Sequence, residues 1–361
     1  MKVTVPLKGH AYNVVIRDGA LDDLVRLTGA PRATRVAVVG DRRLAKTLNE
    51  LARNFEAYGN PATVIAVAAE ERLKSLRSVE PLYGKFLRAG LDRHSTIVGV
   101  GGGTIGDAIG FVAATYLRGV RFISVPTTLL ADVDSSIGGK TGLNHDLGKN
   151  LIGVVAQPDL VVIDPSILRG LDRRDRISGL GEIVKSALIA DARLYRTLLT
   201  SWKDVVALRE PLTTRIIARC VAIKARVVAA DERERSGIRA QLNFGHTVAH
   251  ALENVAGYGV LRHGEAVIVG MRAAVTLSAA RGHLREAHAH AIERFLRTIP
   301  VPDAWQGYSA RSIAAATRHD KKRSAKGVRF VLLDRIGHTL SDDGVSQAQL
   351  LAALRRIGFS R

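Results

Sequence analysis

The stretch LNFGHTVAHALENVAGYGVLRHGEA, residues 242–266, carries His246, His250 and His263 among glycines and one carboxylate, Glu253. On a helix starting near Gly245, His246 and His250 stand four residues apart and share a face, which Glu253 continues. Neutral imidazoles at that spacing chelate zinc, and a buried imidazole also serves as a hydrogen bonder or a proton carrier. Spacing alone leaves open whether a metal takes His246 with His250, or His246 with His263 at the start of the next helix. A distant carboxylate is still needed. GLGEIVK offers Glu182, with Lys185 one turn later as an ion-pair partner or as a second chemical group.

A second constellation lies earlier. STIVGVGGGTIGDAIGF places Gly101, Gly103 and Gly106 in G-x-G-x-x-G register after a predicted strand and at the start of a helix. Glycine lets the backbone turn sharply and approach a pyrophosphate, and the helix N-terminus offers N–H groups and a favourable dipole. A tight strand-to-helix turn needs glycine for steric reasons as well. The acidic residue expected about 20 residues further on, to receive a ribose hydroxyl, is missing from VPTTLL. Asp41, ending the strand RVAVVGD, is the better candidate. DSSIGGKTG resembles the end of a phosphate loop, but Asp134 stands where G-x-x-x-x-G-K-[ST] requires glycine, which excludes a nucleotide triphosphatase of that type.

The elements that must position these groups change character along the chain. RVAVVG, STIVGV, RFISVPTT and LVVID read as short buried strands, with helical segments between them. That alternation is the pattern of a parallel sheet with helices on its faces. After about Pro165 the period is mostly helical, with one late hairpin in VRFVLLDRIGHTL. The expected fold is α/β: a parallel-sheet nucleotide-binding domain over residues 1–168 and a mainly helical metal- and substrate-binding domain over 169–361.

Composition limits the function classes. A length of 361 residues suggests two domains, and 47% hydrophobic content with one cysteine is that of an ordinary globular protein without disulfides. Cys220 sits in an apolar run and is expected to be a buried, inert thiol. MKVTVPLKGH lacks a signal-peptide core and no stretch matches the ~20 apolar residues of a membrane span, so a cytoplasmic protein is expected. The net charge of +19 attracts anions, but the arginines are dispersed and aromatic content is 5%, which argues against a dedicated nucleic-acid binder. A positive field around an anionic substrate, or simply an arginine-rich solvated surface, accounts for it.

GGGTIGD, VPTTLLADVDSSIGGKTGLNHDLGKNLIG, GLGEIVKSALI, DERERSGIRAQLNFGHTVAHALE and HGEAVIVGM, in this order, resemble 3-dehydroquinate synthase, with the likeness running from about residue 5 to 357. The resemblance implies a lyase of the shikimate pathway that uses NAD and one divalent metal, zinc or cobalt, between two domains of a homodimer. Its reaction converts 3-deoxy-arabino-heptulosonate 7-phosphate to 3-dehydroquinate and phosphate, through transient oxidation, phosphate elimination, re-reduction and intramolecular aldol closure.

Carried over position by position, the resemblance makes Glu182, His246 and His263 the metal ligands and leaves His250 to proton transfer, with Lys185, Asp134 and Glu234 as further catalytic groups. Asn150, Asn243, Lys140, Lys224, Arg239 and one of Lys321 or Lys322, for which Lys322 is the choice, surround the substrate. Arg118 reaches in from the other subunit. Lys224 with Arg239 suits the substrate carboxylate, and Lys140, Lys322 and Arg118 suit the phosphate. The dinucleotide contacts are Asp41, Glu71, Lys74, Gly101, Gly102, Gly103, Asp107, Thr127, Thr128 and Lys149, with Asp134 and Lys140 shared. Two departures from the family pattern stand out: Glu70 replaces a glycine, and one extra residue lies between Glu234 and Arg239. Three other readings predict different behaviour. A valiolone- or inosose-type cyclase prefers a sugar phosphate without a carboxylate, a metal-dependent polyol dehydrogenase releases NADH, and a basic nucleic-acid binder shows salt-dependent binding without turnover.

Overall fold

The computed structural model describes residues 1–28, 33–257, 259–319, 323–324 and 327–360. Nine strands come first: β1 (Lys2–Val5), β2 (Tyr12–Ile16), β3 (Val36–Asp41), β4 (Ala62–Val67), β5 (Thr96–Gly101), β6 (Arg121–Pro126), β7 (Lys140–His145), β8 (Gly148–Val155) and β9 (Leu160–Ile163). Among them lie α1 (Leu24–Leu27), α2 (Ala45–Ala57), α3 (Leu76–Arg88) and α4 (Gly103–Thr115). The chain then runs through α5 (Arg173–Ala190), α6 (Ala192–Val206), α7 (Leu212–Ala230), α8 (His246–Ala256) and α9 (His263–Ala280). It ends with α10 (Glu286–Thr298), α11 (Ala310–Ala316), a hairpin of Phe330–Arg335 with His338–Asp342, and α12 (Gln347–Ile357).

One compact unit comprises Met1–Leu171 with Glu210–Arg233. Its sheet runs β1-β2-β9-β6-β5-β3-β4, parallel except for the β1–β2 pair. Strand alternation sends Val36 and Val38 to one face and Ala37 and Val39 to the other, and each set joins a separate apolar cluster. Leu48, Leu51 and Phe55 of α2 cover the first face. Val79, Leu82 and Phe86 of α3, with Ile105, Ile109 and Val112 of α4, cover the second. These i, i+3, i+4, i+7 stripes are why the segments are helices, and each fully buried large side chain contributes about 1.5–3 kcal/mol. From β3 the chain moves outward to β4 and then back to β5 on the other side of β3. The C-terminal ends of β3 and β5 therefore flank a topological switch point, where α/β sheets take their ligands.

The other unit comprises Asp172–Arg209 with Glu234–Arg361. At its centre α5 is buried on all sides from Ile177 to Ile189, and α9 is buried from Gly264 to Val275. This partition differs from the single expected boundary after residue 168, because α7 belongs with the sheet. Its apolar side (Ile216, Ile217, Cys220, Val221) packs on β1, β2 and the turn 131–135. Helical period identifies a helix but not the surface that covers it. Cys220 is buried, as expected. The hairpin β7–β8 was not expected from the sequence.

Candidate active site

Three helix backbones meet around a buried carboxylate in the second unit, and glycine sets how closely they meet. A Cβ at Gly264 would lie 1.8 Å from the Ser178 carbonyl oxygen, and one at Gly181 2.4 Å from the Gly264 oxygen. A Cβ at Gly270 would lie 2.0 Å from the oxygen of Gly245, which itself has φ +80° and begins α8. No larger residue fits at these crossings. Glu182 follows Gly181, His246 follows Gly245 and His263 precedes Gly264 in the chain, so each candidate ligand is the neighbour of a contact glycine. The first turn of α9 is held further: buried Glu265 accepts two bonds from Arg174, at 2.8 and 2.6 Å, and one from the Arg262 N–H at 2.8 Å.

Glu182 is 1% exposed, and among the described residues neither of its oxygens has an aligned hydrogen-bond donor. Lys185, one turn on and equally buried, forms an ion pair with one oxygen. The Nε2 atoms of His246 and His263 both stand 3.5 Å from the other. Behind the rings, His246 Nδ1 lies 3.2 Å from the Phe244 carbonyl and His263 Nδ1 lies 3.4 Å from Glu253 Oε2. Those acceptors put a proton on Nδ1 of each ring, so both Nε2 atoms turn toward one carboxylate oxygen. A cation suits that convergence, taking the place of a proton on His263, and the ligand atoms lie within 4.8 Å of one another. The residues therefore fit a divalent metal.

The electrostatics agree. Burial pushes the Glu182 carboxyl up, but Lys185 and then the two histidines outweigh it and hold the group well below the usual carboxylate range. Burial, with Lys185 and the other histidines, pushes His246 well down despite Glu182, leaving a neutral ligand. Burial also lowers His263, but its bonds to Glu182 and Glu253 override this and raise it to about 10, so a metal displaces a proton there. His250, on the exposed side, has its ring centroid 5.4 Å from that of His246 and 6.0 Å from that of His263. It also forms, with Glu253 and His263, a second group spaced closely enough for an ion.

In the first unit, Asp41 is the last residue of β3, whose Gly40 pairs with Val100 just before the glycine turn. Its carboxylate accepts bonds from the Arg43 N–H at 3.0 Å and the Arg43 guanidinium at 2.8 Å. The N-terminus of α4 has no side-chain cap. A Cβ at Gly102 would crowd Thr128 at 3.0 Å, and one at Gly103 the hydroxyl of Ser135 at 3.1 Å. An uncapped helix start behind glycines suits a phosphate of a dinucleotide. Lys74, 5% exposed, donates to Asp107 at 2.6 Å and to Asn150 at 2.5 Å. Burial pushes Asp107 up against the pull of Lys74. Asn144 bridges Glu71 and the Asn150 N–H, and Lys149 stands 3.8 Å from Glu71. Lys224 meets both the side chain and the carbonyl of Asp134, at 2.9 and 2.7 Å, within a π-helical turn.

Family models match almost end to end across the middle of the chain: one described as 3-dehydroquinate synthase N-terminal over residues 64–178, another as 3-dehydroquinate synthase C-terminal over 179–323. The chain belongs to the 3-dehydroquinate synthase family. It is 42% identical over 343 residues to the 3-dehydroquinate synthase of Enterococcus faecalis, covering 93% of this chain and 94% of that one. Against that of Chlorobaculum parvum the figures are 40% over 357 residues, covering 96% and 97%. Among solved structures, 2-epi-5-epi-valiolone synthase from Streptomyces hygroscopicus subsp. jinggangensis, with NAD+ and Zn2+ bound, superposes with TM-score 0.86 at 27% identity over 98% of both chains. A 2-deoxy-scyllo-inosose synthase shares the fold at TM-score 0.86 and 24% identity over 99% of both chains.

Several synthase-family positions named from the sequence stand together within each unit: Glu182, Lys185, His246, His250 and His263 in the second, and the Lys74–Asp107–Asn150 and Lys224–Asp134 sets in the first. Arg239 is 3% exposed and its Nε lies 3.5 Å from Glu234, across the turn 235–238. Left-handed backbone at Glu234 and Gly237 accommodates that turn. Arg118 also has positive φ, in the short turn Tyr116–Arg118 that follows α4. Thr127 donates its N–H to the Gly101 carbonyl. Lys140 is exposed at the start of β7, and Asn243 is half-buried before α8. Lys321 and Lys322 lie outside the described residues. Sequence reasoning missed the contact of Glu253 with His263, although the seven-residue spacing from His246 was visible. No helix among the described residues is long and apolar enough to cross a membrane.

Proposed function

We propose that the chain converts 3-deoxy-arabino-heptulosonate 7-phosphate to 3-dehydroquinate and phosphate, recycling one NAD within each turnover. The observation that carries this reading is the meeting of the His246 and His263 Nε2 atoms at 3.5 Å from Glu182, in a member of this family. Glu182, His246 and His263 would hold zinc or cobalt, and the turn 101–103 with Asp41, Glu71, Lys74, Asp107, Thr127, Thr128 and Lys149 would hold NAD. Bound there, the ion supplies a Lewis acid for a secondary hydroxyl and the nicotinamide a hydride acceptor that later gives the hydride back.

The protein's own groups bind, orient and move protons. Lys224 and Arg239 bind the substrate carboxylate. Lys140, Lys322 and the partner subunit's Arg118 bind the phosphate, while Asn150 and Asn243 bond hydroxyls. His250 takes the hydroxyl proton at the carbon being oxidised and returns it on reduction. Lys185 keeps Glu182 ionised, and Asp134 and Glu234 hold the cations in place. Once that carbon is a ketone, the neighbouring C–H is acidic, and phosphate leaves by β-elimination with its own oxygens as the proton acceptor. Ring opening and aldol closure then need orientation more than chemistry. We take the working form to be a homodimer in the cytoplasm; light scattering on purified protein reads the dimer.

The test is phosphate release by EDTA-treated protein with NAD, before and after addition of zinc or cobalt. Metal-dependent release without accumulating NADH is expected. Turnover of sedoheptulose 7-phosphate in preference would overturn the substrate assignment, and stoichiometric NADH would make the protein a dehydrogenase.

A further inference from the structure

The two imidazoles that face Glu182 are supported differently from behind. His246 is buried, with a side chain 10% exposed, and its Nδ1 meets a neutral carbonyl close by in its own chain segment. The His263 side chain is 33% exposed, and its Nδ1 meets the carboxylate of Glu253, on α8, at 3.4 Å. Packing alone fixes the ring of His246 far better than that of His263. Glu253 follows His246 by seven residues and His250 by three, so α8 presents all three on one side.

From this we infer that Glu253 is a positioning residue for the metal: by accepting the Nδ1–H of His263 it fixes the ring's rotamer and tautomer, keeps the Nε2 lone pair aimed at the ion, and strengthens it as a donor. The inference rests on the metal reading given above. It acts through His263 and assigns Glu253 no contact with the ion. The cluster His250, Glu253 and His263 is close enough to hold an ion by itself, and the experiment separates the two roles.

Metal-free full-length protein is titrated with cobalt(II), with affinity read by calorimetry and coordination by the visible absorption of the bound ion. Glu253→Ala is expected to weaken cobalt binding on the order of 10–100-fold. Glu253→Gln keeps an oxygen acceptor for the Nδ1–H, so it should retain most of the affinity. At saturating cobalt both variants should bind one ion with the spectrum of the unsubstituted protein. Glu253→Ala binding within twofold of the unsubstituted protein would overturn the inference, as would a changed spectrum in Glu253→Gln, which would make Glu253 a ligand. If Glu253→Ala does not fold, Glu253→Gln with affinity as poor as that of a His263→Ala control also overturns it. Failure of the unsubstituted protein to take up cobalt, zinc or manganese would instead overturn the metal reading itself.

Discussion

Glycine does opposite work in the two units. At the end of β5, Gly102 and Gly103 border a turn where a Cβ would press on the side chains of Thr128 and Ser135, ahead of the uncapped start of α4. Between α5, α8 and α9, Gly181, Gly245, Gly264 and Gly270 leave no space at all, because neighbouring backbone fills it. One set keeps side chains away from an uncapped helix start. The other removes the room between helices, so that side chains on three of them converge. A glycine-rich motif alone does not say which, since both uses arise from the same missing Cβ.

Gly264→Ala is the harshest test of this contrast. Its Cβ would sit 1.8 Å from the Ser178 oxygen, so α5 and α9 must separate. A loss on the order of 3 kcal/mol is expected, together with loss of metal binding. Thermal melts and cobalt titration check it, and a stable variant with unchanged affinity would break the comparison.

His250→Ala tests the division of labour among the histidines. Turnover should fall by roughly 10²–10⁴-fold, while metal content by elemental analysis stays within about twofold, because three other side chains supply the ligands. Loss of the metal would move His250 into the ligand set.

Two buried carboxylates sharpen the comparison through pH. Glu182 and Asp132 are each 1% exposed, yet Lys185 and two imidazoles hold the first ionised, whereas burial and then nearby Asp164 push the second well above the usual range. Neither Asp132 oxygen has a hydrogen-bond partner among the described residues. A raised carboxyl pKa in the folded state costs stability as pH rises above the unfolded value of about 3.9, up to the folded pKa. Asp132→Asn should therefore stabilise the protein at pH 7–8 by on the order of 2 kcal/mol and have little effect near pH 4. Denaturant melts at the two pH values decide it, and an equal effect at both would refute the assignment.

The smallest expected effect is at Gly106, the last glycine of the G-x-G-x-x-G pattern. No atom lies within 4 Å of a Cβ there, and the residue is inside α4. Gly106→Ala should add about 0.5–1 kcal/mol of helix stability and change NAD affinity, by calorimetry, less than about threefold. A larger loss of affinity would show that this glycine makes room for the dinucleotide.

Much of this was legible in advance. Asp41 and Gly101 end neighbouring parallel strands as their apolar runs suggested, and α8 and α9 begin at His246 and His263. The misplacement of α7 and the unread hairpin β7–β8 have one cause. A stripe of apolar residues declares a face to bury, but its partner lies far away in sequence. The exposed Leu147, Leu151 and Val155 of the hairpin gave no core alternation to read.

The sequence by itself determined most of the elements, the glycine turn, the family and the candidate histidines, because these depend on local spacing and on residue types. Spacing left the choice between His250 and His263 open and the resemblance named His263; the tertiary structure puts His246 and His263 against Glu182, and it alone showed that Glu253 stands behind one of them. Those contacts join positions on three helices, and their distances are set by where backbones touch at glycine, a quantity that no local pattern contains.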